Sequence, residues 1–367
     1  MKFNVLLFVI LGVLMIVIPL SNLGMPSMAH TGQAADNSVD DVKPFSELLA
    51  DSAQSAASDN TAPEADTSEQ TVSEPAVAAS AALKGFKILD SATGEKLDVG
   101  YMDFLKGSVC AEMPATFNLE ALKAQAVAAY TYAVYQKERQ AESPDPALMG
   151  CDFSASPSEW KVFTTEAEAR KRFGDKFDVY WNKISQAAEE AAGYMIEYDG
   201  APIVAAYCSA SAGITESAGD VWQGDLPYLR PVDSFGDKLS PYAQVPVSFT
   251  AAQVKAAFAK AGYTVTFPAD QGKWFAVLTR SAGGYVTAVT VGDKLLKGTD
   301  VRAALGLNSA AFEVTQKSGV FTFICSGYGH GVGLSQYGAD YMARQGSTFI
   351  EILTYYYTGA EVVKIEN

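Results

Sequence analysis

One stretch constrains the chain more than any other. Residues 109–135 read VCAEMPATFNLEALKAQAVAAYTYAVY, an acid in an apolar frame, a proline break and a long alanine-rich run. Pro114 disfavours helical geometry at Met113, so an element holding Glu112 ends there. Beyond the break Asn118 is a suitable N-cap and Glu120 suits the positive first turn of a helix. Leu122, Ala126, Ala129 and Ala133 recur on one helical face. Side chains that small let another backbone approach closely, so the pattern predicts a central, tightly packed helix. Lys123 and Gln125 interrupt its flanks, where a solvated face is the plain alternative.

If the element before Pro114 is a short helix, Glu112 lies in its last turn. The negative end of the helix dipole and the apolar neighbours then both disfavour the ionised carboxylate. A carboxyl group kept protonated near neutral pH can serve as a general acid. A solvated Glu at an element end is the competing reading.

The 367 residues, about half of them apolar, allow one or two globular domains. A net charge of −15 argues against nucleic acid as a partner and against an electrostatic grip on anionic lipid. Lys2 precedes an apolar run over residues 5–18, so residues 1–25 are expected to be a membrane anchor or a cleaved signal segment. With Lys2 inside, the remaining mass faces outward. Residues 26–82 are rich in Ser, Ala, Asp, Glu and Thr with almost no aromatics. That composition cannot bury enough apolar surface to fold and is expected to be a disordered acidic tether.

From residue 83 to 367 the composition is globular. The expected class is α+β, with mixed helices and antiparallel strands around the alanine-rich helix. Residues 85–113 suggest two strands about an Ala-Thr-Gly turn and then a short helix; 142–157 reads as loop; 177–192 reads as helix. Asp199-Gly200 marks a hairpin turn. Residues 212–237 have no clear period and read as a long loop. Helices are expected at 250–260, 300–305 and 348–356, with strands at 273–296, 319–325 and the closing EVVKI.

Cys110, Cys151, Cys208 and Cys325 are far apart in sequence. A chain this long does not need disulfide staples, which favours free thiols, although sequence alone cannot choose among pairings. The two histidines exclude a His-rich zinc site, because His30 lies in the tether; a site from Cys and His330 matches no standard spacing.

Two further constellations carry chemistry. Residues 327–346, GYGHGVGLSQYGADYMARQG, flank His330 with glycines whose backbone can bend sharply, and Ser335, Gln336 and Tyr337 then open a helix. Residues 207–222 and 227–237, YCSASAGITESAGDVW and PYLRPVDSFGD, offer Tyr228, Arg230 and Asp237, types that hydrogen-bond sugar hydroxyls. Trp222 is either an aromatic platform or core.

All three constellations, in this order, resemble the stage II sporulation protein D (SpoIID) family. LEALKAQAVAA is similar to its central helix, PYLR with a following Ser and Asp to its middle loop, and GYGHGVGLSQYGA to its C-terminal motif. The resemblance spans residues 87–363. It implies a peptidoglycan lytic transglycosylase that acts on glycan strands, denuded of stem peptides, in septal wall remodelling and forespore engulfment. It implies Glu112 as catalytic acid and Lys123, Tyr228, Arg230 and Asp237 as positions important for activity, expected on the substrate. The polar groups crowded in the Gly-rich loop, His330, Ser335, Gln336 and Tyr337, are expected to line the same site. Implied partners are the glycan strands, a wall amidase and a membrane partner of the engulfment complex, with the body outside the cell membrane. The family usually has Arg where this chain has Tyr130. Some clostridial members bind zinc in the loop after the central helix, where this chain has Leu148, Ser154 and Trp160; no metal or other cofactor is expected.

The residues suit that chemistry. A sugar hydrolase normally needs two carboxylates. A lytic transglycosylase can use one: it protonates the glycosidic oxygen, then accepts the proton of the sugar's own hydroxymethyl group as that oxygen attacks the anomeric carbon. The main rival is a non-catalytic enhancer of a wall amidase. A simple glycosidase with Asp237 as second carboxylate and a wall-binding module are weaker rivals.

Overall fold

The computed structural model describes residues 85–222 and 224–365. The expected anchor at 1–25 and the whole of the expected tether at 26–82 lie outside them. The described chain opens with strands β1 (Phe86–Asp90) and β2 (Lys96–Val99), paired antiparallel about the Ala-Thr-Gly turn. Helix α1 (Tyr101–Glu112) follows and stops where Pro114 requires, with Met113 extended at φ −125° and ψ 139°.

Helix α2 (Leu119–Glu142) starts at Asn118, whose side chain accepts the Glu120 N–H at 3.0 Å. The expected alanine face is buried, and so is almost every other residue from Ala121 to Val134. Such all-round burial is the mark of a core helix. It takes Lys123 and Gln125 inside as well, in place of a solvated flank. Helices α1 and α2 pack together, and α2 also meets the later helices described below.

The segment expected to be loop at 142–157 contains strand β3 (Phe153–Ala155), which joins β1 in parallel. Three residues carry too little periodicity to be told from loop. Helix α3 (Glu166–Phe173), EAEARKRF, buries only Ala169 and so has no apolar stripe to announce it. Helix α4 (Phe177–Glu190) follows. Strands β4 (Tyr194–Tyr198) and β5 (Ala201–Pro202) form the expected hairpin, with Asp199 at φ 53° and Gly200 at φ 74°. Two positive φ values are what a type I′ turn demands. Strand β6 is Tyr207–Cys208, and a short helix α5 (Ala218–Val221) interrupts the long loop.

An inserted β-rich lobe comes next. It contains β7 (Val245–Thr250), α6 (Ala251–Lys260), β8 (Phe275–Arg280), β9 (Val286–Val291), β10 (Lys294–Leu296), α7 (Gly298–Leu305), β11 (Phe312–Lys317) and β12 (Val320–Cys325). Two antiparallel sheets, in the orders β11-β12-β7 and β10-β9-β8, enclose a core that includes Val254, Phe258, Trp274, Val289 and Phe323. The chain then returns through β13 (Leu334–Ser335), parallel to β6, to α8 (Gln336–Arg344), α9 (Phe349–Tyr356) and β14 (Glu361–Lys364) on the free edge of β4. The fold is α+β, with parallel as well as antiparallel pairs.

Candidate active site

Glu112 closes α1, and the loop at 156–164 is laid across that helix. A Cβ on Gly107 would lie 2.2 Å from the Phe163 ring, so only glycine lets the loop come this close. Thr164 N–H bonds to the Gly107 carbonyl at 3.1 Å, and Val162 N–H donates to Glu112 Oε1, also at 3.1 Å. The Tyr207 phenol is a second donor to the same carboxyl. Burial pushes the Glu112 carboxyl up to about 7, against the opposing pull of these two donors, which favour the anion.

Sequence reasoning did not single out Tyr207, though it opens the YCSAS stretch. It lies on β6, between Glu112 and His330. Burial and the neighbouring Glu112 hold its phenol well above the ordinary range, so it stays a proton donor. His330 Nδ1 accepts the Val332 N–H at 3.0 Å, which leaves Nε2 to donate to the Tyr207 backbone. Burial, with Arg302 nearby, pushes its imidazole down to about 4. His330 is therefore a neutral residue with both nitrogens engaged, and it holds the strand that carries Tyr207. Gly329 and Gly331, at φ 119° and 82°, make the sharp loop expected around it. The Trp222 ring packs on the imidazole at 5.0 Å.

The other named residues bond to partners other than Glu112. Asp237 is 1% exposed and accepts from Ser211 N–H at 2.8 Å, Ser211 Oγ at 2.5 Å and Ser335 Oγ at 2.6 Å. Its carboxyl is raised by burial, with these donors opposing. Gln336 donates to Gln125 on α2 at 3.1 Å. The buried Tyr228 hydroxyl accepts Val204 N–H at 3.0 Å. Lys123 pairs with Glu120 and, at 3.0 Å, with Glu190 on α4, and its ammonium stands 5.1 Å from the Phe349 ring centroid. Arg230 forks onto Asp225 at 2.6 and 3.1 Å on the surface. Tyr337 meets Phe117 and Tyr242 edge-on. Most of these polar groups are engaged in holding the scaffold.

A second carboxyl stands near 7. Glu216, lifted by burial, accepts from Ser281 Oγ at 2.7 Å and from the Gly283 N–H beside a small cavity lined by Tyr285, Arg302 and His330. The four cysteines are buried free thiols. Of the positions compared with clostridial zinc ligands, Leu148 is in a short 3-10 turn, Ser154 is on β3 and Trp160 packs against Arg172 and Phe173. None of the three offers a soft or imidazole ligand.

The family model for SpoIID, Stage II sporulation protein, matches residues 91–198. Stage II sporulation protein D of Bacillus subtilis (strain 168) is 37% identical over 262 residues, covering 71% of this chain and 73% of that protein. The chain belongs to the SpoIID family. The Bacillus amyloliquefaciens Stage II sporulation protein D is 34% identical over 266 residues, covering 72% of this chain and 74% of that one. The amidase enhancer of Bacillus subtilis (strain 168) is 26% identical over 308 residues, covering 70% of this chain but 39% of the enhancer. The SpoIID-matched segment contains α1, α2 and the loop that grips Glu112. It also contains Tyr130, which is fully buried against Tyr101 and Phe86 with its hydroxyl unpartnered. Tyr101 opens α1 and Glu112 ends it, so this departure lies roughly 16 Å along the helix from the acid.

Proposed function

We propose that this SpoIID-family protein is a lytic transglycosylase of peptidoglycan, with Glu112 as its single acid and base. The observation that carries the reading is a carboxyl raised to about 7 and held by two donors, Val162 N–H and Tyr207, neither of them a second carboxyl. The buried carboxyls of Asp237 and Glu216 are occupied with hydroxyls and backbone N–H groups of their own.

Protonated Glu112 gives its proton to the glycosidic oxygen as the bond to the anomeric carbon breaks. The resulting carboxylate takes the proton of the muramic C6 hydroxyl, whose oxygen closes on that carbon. The acid is restored, one chain becomes two and no water is consumed. Tyr207 and Val162 stabilise the carboxylate between the two proton transfers. Denuded glycan strands are the substrate in this reading. Residues 1–25 anchor the protein in the cell membrane, 26–82 form its tether, and a wall amidase is a partner in septal remodelling during sporulation.

Purified protein on denuded strands tests the reading, with mass analysis of the ends. Anhydromuramic ends are expected; reducible muramic ends would mean that water attacked. The likeness to an amidase enhancer favours one alternative, stimulation of an amidase without cutting. No cleavage, together with faster amidase turnover, would select it.

A further inference from the structure

The loop that grips Glu112 does more than supply a donor. Trp160 (φ 55°) and Val162 (φ 68°) both sit in the left-handed region, which a β-branched residue almost never adopts. Such strain persists only where the surroundings over-determine it, and it gathers at ligand-binding sites. Here Ser156 and Lys161 exchange backbone bonds at 3.2 and 3.1 Å, and Thr164 Oγ1 ties to the Pro157 carbonyl at 3.0 Å. The reversed backbone aims Val162 N–H at Glu112 and delivers the Trp160 ring to an open groove of about 370 Å³, lined by Ser158, Glu159, Trp160, Glu168, Lys171 and Arg172.

The groove is lined by two carboxylates and two cations, and both carboxylates are paired. Glu159 pairs with Lys161 at 2.5 Å and Glu168 with Lys171 at 3.8 Å. Arg172 makes no ion pair among the described residues, and its guanidinium lies 4.1 Å from the Trp160 ring centroid, with Phe173 edge-on to the same ring at 5.3 Å. A guanidinium laid against an indole keeps its forked donors free for a planar anion. Two virtual bonds put the Trp160 Cα at most about 7.6 Å from that of Val162. One short stretch of backbone thus presents Val162 to the acid and the Trp160 indole to the groove.

We propose that this groove is a subsite for a carboxylate-bearing sugar of the glycan strand, with Arg172 as the carboxylate's partner and Trp160 as the surface that orients it. The proposal rests on the glycan-cleaving reading above and gives it a specificity element. Muramic acid carries a free lactyl carboxylate when its stem peptide has been removed. With the peptide attached, that carboxyl is a neutral amide. An Arg–carboxylate fork is strong and geometrically selective, so Arg172 would discriminate denuded from peptide-bearing strands.

The test uses the full-length Glu112→Gln protein, so that ligands survive the measurement. Titration calorimetry compares a denuded muramic oligosaccharide with the same compound amidated at its lactyl groups. Preference for the free acid by about tenfold or more is expected. Arg172→Ala should erase that preference while leaving affinity for the amide within about twofold; Arg172 is on the surface, and an unchanged melting temperature would show that the fold is intact. Fluorotryptophan NMR, with Trp160→Phe to assign the signal, should show the Trp160 resonance moving on binding. Equal affinities, a preference that survives Arg172→Ala, or no binding of either compound would each overturn the subsite. Product analysis of the wild type separates the two ideas. Anhydromuramic ends without the preference would sink the groove alone, and the preference without such ends would sink the lytic step alone.

Discussion

Ser335 Oγ donates to Asp237 Oδ1 at 2.6 Å across 98 residues of sequence. That bond joins the middle loop to the Gly-rich C-terminal motif, and Ser211, beyond β6, completes it from the other side at 2.5 Å. Ser335 also caps α8 through the Gly338 N–H. The strand that presents Tyr207 is therefore held by a buried carboxylate that does not touch Glu112.

Asp237→Ala should consequently act on stability. It strands the Ser211 N–H and the hydroxyls of Ser211 and Ser335 in a dry site, at a cost of about 3 kcal/mol or more. Asp237→Asn keeps shape and one acceptor, so it should cost less. Chemical denaturation of the three proteins measures this. A melting curve for Asp237→Ala that matches the parent, with activity lost, would instead make Asp237 a participant in the reaction.

Glu112→Gln should lose turnover by roughly 10²–10⁴-fold, the usual worth of positioned acid–base catalysis. Its stability should respond to pH with a definite sign. The folded carboxyl stands near 7 and the unfolded one near its ordinary value, so folding favours the protonated form. Wild-type stability is then fullest below the ordinary carboxylate range and declines as pH rises toward about 7. The Gln variant lacks that decline. Thermal melts should coincide at pH 4 and favour the variant at pH 8; a variant that melts lower at both would contradict the burial argument.

Tyr207→Phe should displace the pH profile. The acid step needs protonated Glu112, so turnover should fall as pH rises through about 7. The Tyr207 phenol favours the anion, and its removal raises the carboxyl further, moving the falling limb to higher pH while lowering the maximal rate. A purely structural Tyr207 would change the rate and leave the limb in place.

Tyr130→Arg installs the residue that the resemblance to the family leads one to expect there. In this fold it puts a guanidinium where the ring now packs at 4.9 Å from Tyr101, with no exposure to solvent and no carboxylate recorded beside it. Burying an unpaired charge there should destabilise the protein by about 3 kcal/mol or more, without a gain in turnover. A folded, more active variant would show that α1 and α2 repack to bring position 130 to the site.

Much of this molecule is written locally. Pro114 ends the helix of Glu112, Asn118 begins the next one, Asp199-Gly200 turns the β4–β5 hairpin and Thr348 starts α9, because caps, turns and prolines act over a few residues. The buried alanine face of α2 was legible for the same reason. The motifs carried the family. What the sequence could not decide is which polar side chains face the acid and which are structural. Lys123 and Gln125 go inside because α2 is covered on all sides, and Asp237, Tyr228 and Ser335 turn inward to bonds with residues remote in sequence. Tyr207 reaches Glu112, and Val162 donates to it, only because a parallel strand pair and a strained loop converge on the end of α1. Such convergence depends on long-range pairing and on the space left by Gly107, and neither leaves a periodic trace in the residues around it.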